Sequence, residues 1–396
     1  MDIDPNVGPA ARQLTTEELT TKVKEFALNY GAAAVGITTV ETLAGGPPST
    51  DLSYVLEDAR SAVTFGVPLD QDKILDFLGK KNREAHQKDY CMAATISTGI
   101  AAQLASFVKQ FGHDSVAVMA NEVYRNDAPK MKRNQYPDIS HRYLAVRGGI
   151  GWFGFSGNVI TPAHGPNVNF ATMVTTAKLT PTDPLQETDN FCEDCKEVCN
   201  ASCPSGLFRY GSKDEITVTM GGVDFTYTKR RTYDHCNYVC GGNSGLHQSG
   251  RWSTWSPARF PIAKRDEDVL PVLREAALAW RNRPELPGGG LQQPIQYGIS
   301  KRDLPLTCGN CALVCHPDKA ERDRRLKLLQ DSGVIIQHED GSVEAVTPGK
   351  GAAHIASMTP ERRALYEAAD PDRYDPKKYS GSKSHSQYSD KLEIGG

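Results

Sequence analysis

The first third of the chain alternates between helical and strand patterns of apolar residues. Thr15-x-x-Glu18 has the pattern of a capping box, apolar side chains then recur at helical spacing as far as Tyr30, and Gly31 should end this helix. We predict strands at 34–40, 62–67 and 115–119, and a buried helix at 91–111. Because helices and strands alternate, we expect a sheet covered by helices, in the α/β (α+β) class.

The remainder of the chain has a different organisation. Alternating residues on both sides of Gly221-Gly222 predict a two-residue hairpin, followed later by a charged helix from Lys319 and a strand pair that turns at Asp340-Gly341. We therefore expect a leader (1–14), an α/β domain (15–185), a cysteine-rich domain (186–320) with a hairpin insertion (214–230), C-terminal helix and hairpin elements (321–369) and a polar tail (370–396).

Composition narrows the classes of protein to consider. The 396 residues are 39% hydrophobic and 23% charged, which is typical of a globular protein. We find no apolar run near the length of about 18 residues that spans a membrane and no signal sequence, so we expect a cytoplasmic protein. A net charge of -3 gives no electrostatic reason to expect a nucleic acid, which we treat as an unlikely partner.

The cysteines carry the strongest chemical signal. Four lie within FCEDCKEVCNASCPSG and three within LTCGNCALVCHPD: Cys192, Cys195, Cys199, Cys203, Cys308, Cys311 and Cys315. Reduced cytoplasmic thiols in such short motifs favour metal ligation over disulfides. Structural zinc is the alternative, but three closely spaced cysteines suit an iron–sulfur cubane whose fourth ligand is distant in sequence.

The proline after Cys203 suggests how two clusters would share these ligands. In two-cluster ferredoxins the cysteine before proline crosses to the other cluster. By this rule one cluster takes Cys192, Cys195, Cys199 and Cys315, and the other takes Cys203, Cys308 and Cys311. The eighth ligand is then Cys236 or Cys240.

A glycine motif in RGGIGWFGFSGN invites a misleading interpretation. Gly149-x-Gly151-x-x-Gly154 formally matches a dinucleotide-binding fingerprint, which needs a following helix and an acidic residue about 20 positions on. Residues 155–182 contain no Asp or Glu, and Pro162 would cut such a helix short. We therefore do not expect a nucleotide site here.

The segment YLAVRGGIGWFGFSGNVITPAHGP, followed by NFATMVTTAKL and the two cysteine blocks, resembles the superfamily of cobalamin-dependent reductive dehalogenases and epoxyqueuosine reductases. The resemblance implies an N-terminal corrinoid-binding domain and a ferredoxin-like domain with two [4Fe-4S] clusters. RGGIGWFG is similar to the epoxyqueuosine reductase loop, whereas VITPAHGP is similar to the dehalogenase segment.

We expect an oxidoreductase that cleaves a carbon–halogen or related bond in a small organic substrate, with electrons from an external ferredoxin- or flavodoxin-type donor. The alternatives are epoxyqueuosine reduction on tRNA, and an electron-transfer protein without corrinoid; cobalamin content would separate the last from the others.

The resemblance also implies roles for particular residues. The corrinoid would be lined by Gly149, Gly151, Gly154, Asn158, Thr161 and His164, because glycine lets backbone approach a planar ligand closely. The proton donor is expected among Tyr136, Asp138 and Tyr143, which precede the glycine loop. The resemblance favours Cys236 over Cys240 as the eighth cluster ligand.

Overall fold

A four-stranded antiparallel sheet forms the centre of the N-terminal region. The computed structural model describes residues 14–119, 125, 127, 136–208, 214–285 and 307–368. The sheet order is β1-β2-β6-β3, built from β1 (Ala34–Thr39), β2 (Ser61–Pro68), β3 (Ser115–Val118) and β6 (Val168–Thr175). All three predicted strands are confirmed within two residues, and the central β6 is an addition that the sequence analysis did not identify.

Helices cover both faces of this sheet. The helices α1 (Thr16–Asn29), α2 (Gln71–Leu78) and α3 (Arg83–Lys109) lie on one side, and the short α4 (His141–Arg147) packs against β1, β2 and β6. The predicted capping box of α1 is present, with Thr15 and Glu18 bonded to each other's backbone N–H. Helix α3 begins at the Asn82 cap, eight residues before the predicted start.

Helix α3 is the one helix among the described residues that is long and apolar enough to cross a membrane by length and composition. It packs instead on β2, β3 and β6 and on α1 and α2, and it buries side chains such as Ile100 and Leu104. Of its most apolar 18-residue window, 39% is buried.

The predicted hairpin around Gly221-Gly222 is confirmed as β7 (Glu215–Met220) paired with β8 (Val223–Thr228). Both glycines have positive φ, +58° and +78°, as a type I′ turn requires. Phe225 and Tyr227 of β8 pack into a second apolar core together with α4. The hairpin therefore covers the outer side of α4.

Short helices hold Cys199, Cys236, Cys240 and Cys311, and the other cysteines of the two blocks lie in turns and loops. The remaining elements are β4 (Trp152–Phe153), β5 (Val159–Ile160), α5 (Val198–Ala201), α6 (Asp234–Cys240), α7 (Val269–Trp280), α8 (Asn310–Leu313), α9 (Lys319–Asp331), β9 (Val334–Gln337), β10 (Val343–Val346), α10 (Pro348–Ala356) and α11 (Pro360–Arg363). The predicted charged helix and the strand pair at Asp340-Gly341 are confirmed as α9 and as β9–β10.

One continuous apolar core joins the sheet region to the cysteine region. It contains Leu19 and Phe65 from the N-terminal region and Val198, Trp252 and Leu313 from the cysteine region. The division into domains at 185 and 320 stays a prediction, and the leader and tail lie almost wholly outside the described residues.

The buried Arg325 connects helices α8 and α9 to the N-terminal region. The guanidinium of Arg325 on α9 donates to the carbonyl of Leu313 in α8, to Glu321 and to the side chain of Gln71 at the start of α2. Its side chain is 1% exposed and ion-paired with Glu321 at 2.7 Å. The position of α8, and with it Cys311, is thus set by contacts with both regions.

Candidate functional site

The first group of thiols consists of Cys192, Cys195, Cys199 and Cys315. Burial raises the pKa of Cys315 to about 12, and the neighbouring Cys192 and Cys195 add to the rise. The pKa of Cys199 is also raised, first by burial and then by Cys311 and by the other three thiols of its own group. Cys199 therefore lies near the other three thiols, and Cys315 lies near Cys192 and Cys195.

The second group consists of Cys203, Cys236, Cys240, Cys308 and Cys311. Burial raises the pKa of Cys203 to about 11, with contributions from Cys236 and Cys308, and the same two thiols act on Cys311. A hydrogen bond from Cys240 lowers the pKa of Cys308 to about 7.

Cys236 and Cys240 lie one helical turn apart on α6, with their Sγ atoms 3.5 Å apart. Because residues four apart share a helix face, both point toward the second group. The choice of eighth ligand stays open on this geometry. The proximity within each group is the one that the ferredoxin crossing rule requires, and ligation by these thiols stays a prediction.

The thiol groups have the surroundings of buried ligands. The Phe155 N–H donates to Cys192 Sγ at 3.1 Å, the Leu207 N–H lies 3.5 Å from Cys203 Sγ, and backbone N–H groups of Gly309 and Asn310 reach Cys308. Among the described residues no three or more His, Cys, Asp or Glu side chains converge on the position of a single metal ion.

The glycine loop lies between α4 and the first thiol group. A Cβ on Gly149, whose φ is +72°, would stand 2.2 Å from the carbonyl oxygen of Asp183, and one on Gly151 would stand 2.4 Å from that of Ile160. For Gly154 the corresponding neighbour is the Ile160 side chain at 3.1 Å. The chain's own packing therefore requires the first two glycines, and their predicted role beside a corrinoid stays a prediction.

The polar residues predicted to line the corrinoid follow this loop. Thr161 is buried and its hydroxyl donates to the carbonyl of Gly165 and accepts from the N–H of His164, so it holds its own turn. Asn158 and His164 are half-buried. Next in the chain, Asn167 donates to the carbonyl of Cys315 at 2.9 Å while its Oδ1 is buried without a partner.

The predicted proton donors are not equivalent. Asp138 is half-buried, and its Oδ1 has no hydrogen-bond partner. Burial raises the pKa of this carboxyl, and Arg125 partly offsets the rise. Tyr136 is buried, whereas Tyr143 is wholly enclosed in the second core with its hydroxyl 3.3 Å from that of Tyr227. Their roles as proton donors stay predictions.

Two features of α4 were not assigned by the sequence analysis. His141 is buried, with Nδ1 2.7 Å from the Thr172 hydroxyl and Nε2 3.1 Å from the carbonyl of Met119. Burial lowers the pKa of His141 to about 4, so the ring is neutral and Nε2 donates to the carbonyl. The next residue, Arg142, lies beside Arg230, which is distant in sequence and could not be linked to it by any local motif.

Part of the chain is similar to known proteins. No family model matches the chain. A curated epoxyqueuosine reductase of Bacillus anthracis is 31% identical over 121 residues, which are 28% of this chain and 31% of that relative. A relative of the same name from Staphylococcus aureus is 31% identical over 117 residues, which are 28% of this chain and 31% of that relative. The chain thus matches less than a third of the length of these relatives.

Two kinds of solved structure are similar. A catabolic reductive dehalogenase in complex with 3-bromo-4-hydroxybenzoic acid matches 86% of this chain and 41% of its own, with 14% identity and a TM-score of 0.47. An epoxyqueuosine reductase with a tRNA stem loop matches 93% of this chain and 95% of its own, with 15% identity and a TM-score of 0.39.

The resemblance to the superfamily of reductive dehalogenases and epoxyqueuosine reductases is confirmed by the curated relatives matched in sequence. Within it, the curated relatives matched by sequence are epoxyqueuosine reductases. Our expectation that a nucleic acid is an unlikely partner is wrong, because the curated relatives matched by sequence are named epoxyqueuosine reductase, which gives a nucleic acid as the expected partner. That expectation relied on a net charge of -3, which averages over the whole surface and does not report a local basic face.

Proposed function

We propose that the chain is an iron–sulfur oxidoreductase that holds a corrinoid and reduces a modified nucleoside on tRNA, as the names of its curated relatives suggest. The observation that carries the proposal is the division of nine thiols into two adjacent groups, which approach each other at Cys199 and Cys311. Two clusters at these positions would pass single electrons in series.

The residues fit iron–sulfur clusters. Burial raises the pKa of Cys199, Cys203 and Cys315, so an isolated thiolate is disfavoured there, and bound iron supplies the positive charge that would stabilise it. Backbone N–H donors such as that of Phe155 at Cys192 would also stabilise the sulfur charge. One cluster would be held by Cys192, Cys195, Cys199 and Cys315, and the other by Cys203, Cys236, Cys308 and Cys311.

The segment from Asn158 to Asn167 offers groups that fit a corrinoid. Asn167 Oδ1 is a buried acceptor without a partner, and the amide side chains of a corrinoid are donors of the kind it needs. The same segment contacts Cys315 through Asn167 and Gly165, so a corrinoid held here would be adjacent to the first cluster. When bound, the corrinoid supplies low-valent cobalt as the electron donor to the substrate.

The chain itself must supply protons. Conversion of an epoxide to an alkene consumes two electrons and two protons and releases water. Asp138 is suited to proton donation, because burial raises the pKa of its carboxyl group and its Oδ1 has no hydrogen-bond partner within the protein. Tyr136, two residues earlier, would accompany it, whereas the hydroxyl of Tyr143 is enclosed in the core.

Anaerobic purification with quantification of iron, sulfide, zinc and corrinoid tests the cofactor part of the proposal. We expect about eight irons and one corrinoid per chain. Zinc in place of iron would refute the iron–sulfur assignment. Clusters without any bound corrinoid, in protein supplied with cobalamin, would support a pure electron-transfer protein.

The substrate is tested separately with the loaded enzyme and a chemical reductant. We expect turnover of an epoxyqueuosine-containing tRNA stem loop, followed by mass spectrometry of the nucleoside. A halogenated aromatic is the second candidate, since the dehalogenase-like VITPAHGP segment lies against Cys315. Halide release without any change in the nucleoside would favour that second candidate and refute the first.

A further inference from the structure

Two arginines have the same edge of their guanidinium groups buried and without a hydrogen-bond partner. In both Arg142 and Arg230, the Nε and Nη2 atoms are buried and have no hydrogen-bond partner. This edge presents two parallel N–H donors to one carboxylate or phosphate. Other arginines of the chain fill it with a carboxylate: Arg125 with Asp127 at 2.9 and 2.7 Å, Arg265 with Asp268 at 2.8 and 2.8 Å, and Arg324 with Glu321 at 2.7 and 2.9 Å.

The two arginines are neighbours. Burial lowers the pKa of Arg142 to about 10, and the adjacent charge of Arg230 adds to this effect. Their guanidinium carbons lie 5.7 and 5.9 Å from the ring centroid of Tyr227, so both contact the same tyrosine. Gly157 gives Arg230 its space, since a Cβ there would stand 2.5 Å from Nη2.

The surroundings of Arg142 are aromatic rather than acidic. Its guanidinium carbon lies 5.8 Å from the Tyr143 ring and 5.6 Å from the Phe153 ring. Two like charges, partly stripped of water and without a hydrogen-bonded carboxylate on these edges, are unfavourable together, and Arg230 lies near the Cys311 thiol. A bound anion would remove both costs, and parts of each residue other than these donor atoms are exposed.

We propose that Arg142 and Arg230 together form a binding site for one phosphate group. The four free N–H donors match the several oxygens of a phosphate, and the bidentate geometry of arginine favours phosphate over a halide ion. The phosphate comes either from a nucleic acid or from the free ion. The site stands on the two arginines alone, so phosphate binding can be measured whether or not the chain has reductase activity.

Isothermal titration calorimetry of the anaerobically purified, cluster-loaded protein with inorganic phosphate tests the site. We expect saturable binding by the parent, and binding at least about tenfold weaker in Arg142→Lys and in Arg230→Lys, because lysine keeps the charge but loses the paired donors. The matched control is Arg265→Lys, whose paired donors are already taken by Asp268 at the surface. This control should bind phosphate as the parent does.

Competition identifies the source of the phosphate. Displacement of inorganic phosphate by an RNA stem loop would support the site and assign it to nucleic acid, and phosphate binding without competition would support a site for the free ion. The proposal is overturned if the parent shows no saturable phosphate binding, or if both lysine variants keep the parent affinity. It is also overturned if the variants shift only a cluster reduction potential in a spectroscopic titration, since the arginines would then serve as counter-charges to a cluster.

Discussion

Replacement of His141 by glutamine should remove a large part of the pH dependence of stability. His141 is the first residue of α4, and it ties this helix to the sheet through the hydroxyl of Thr172 and the carbonyl of Met119. The Thr172 hydroxyl in turn lies 2.9 Å from that of Thr64 on the neighbouring strand. Protonation would add a charge to this enclosed chain of hydrogen bonds.

The magnitude follows from the lowered pKa. Burial reduces the pKa of His141 from 6.5 to about 4, so between these values the unfolded chain binds a proton that the folded chain does not. The stabilisation by neutral His141 is complete above pH 6.5 and is lost as the pH falls toward 4. Between pH 7.5 and pH 5 this linkage amounts to a loss of about 2 kcal/mol of unfolding free energy.

Urea unfolding at several pH values between 5 and 7.5, followed by circular dichroism, measures this loss. The difference between parent and His141→Gln isolates the contribution of one histidine from the acid lability of any cluster, which both proteins share. Burial also lowers the pKa of His86 to about 4. His86→Gln should therefore reduce the pH dependence of the unfolding free energy by a similar amount. Parallel pH profiles for the parent and both variants would refute the reasoning.

Three further changes test the site and its support. Cys236→Ser should lose up to half of the iron while Cys240→Ser keeps it, measured colorimetrically, and equal losses would leave no single eighth ligand. Asp138→Asn should abolish turnover with unchanged cofactor spectra, and parent activity should fall as the pH rises through the raised pKa, since only the protonated carboxyl donates. Gly151→Ala should lower the unfolding free energy by about 1–3 kcal/mol because its Cβ would stand 2.4 Å from a carbonyl oxygen. Gly99→Ala, which meets open space inside helix α3, is the control and should be neutral or stabilising, and equal losses in the two variants would contradict this account.

The elements that the sequence predicts well are those specified by nearby residues. The capping box at Thr15 fixes the start of α1, and the glycine pair of the β7–β8 hairpin fixes its turn, because these contacts span only a few positions. Strand β6 went unrecognised although it is central. Its residues 171–175 are all buried, so it lacks the alternation of apolar and polar positions that marks a half-exposed strand.

The candidate site divides along the same line. Short cysteine spacings together with the ferredoxin crossing rule predict which thiols come together, and the helical repeat of α6 leaves the choice between Cys236 and Cys240 undecided. No such spacing links Arg142 to Arg230, which become neighbours only because the β7–β8 hairpin folds over α4. The glycine loop follows Arg142 and lies between Arg142 and Arg230 in sequence. Packing against the chain requires Gly149 and Gly151 at its start, and the Phe155 N–H at its end donates to Cys192 of the first thiol group. A phosphate bound by the arginine pair would therefore lie beside this loop.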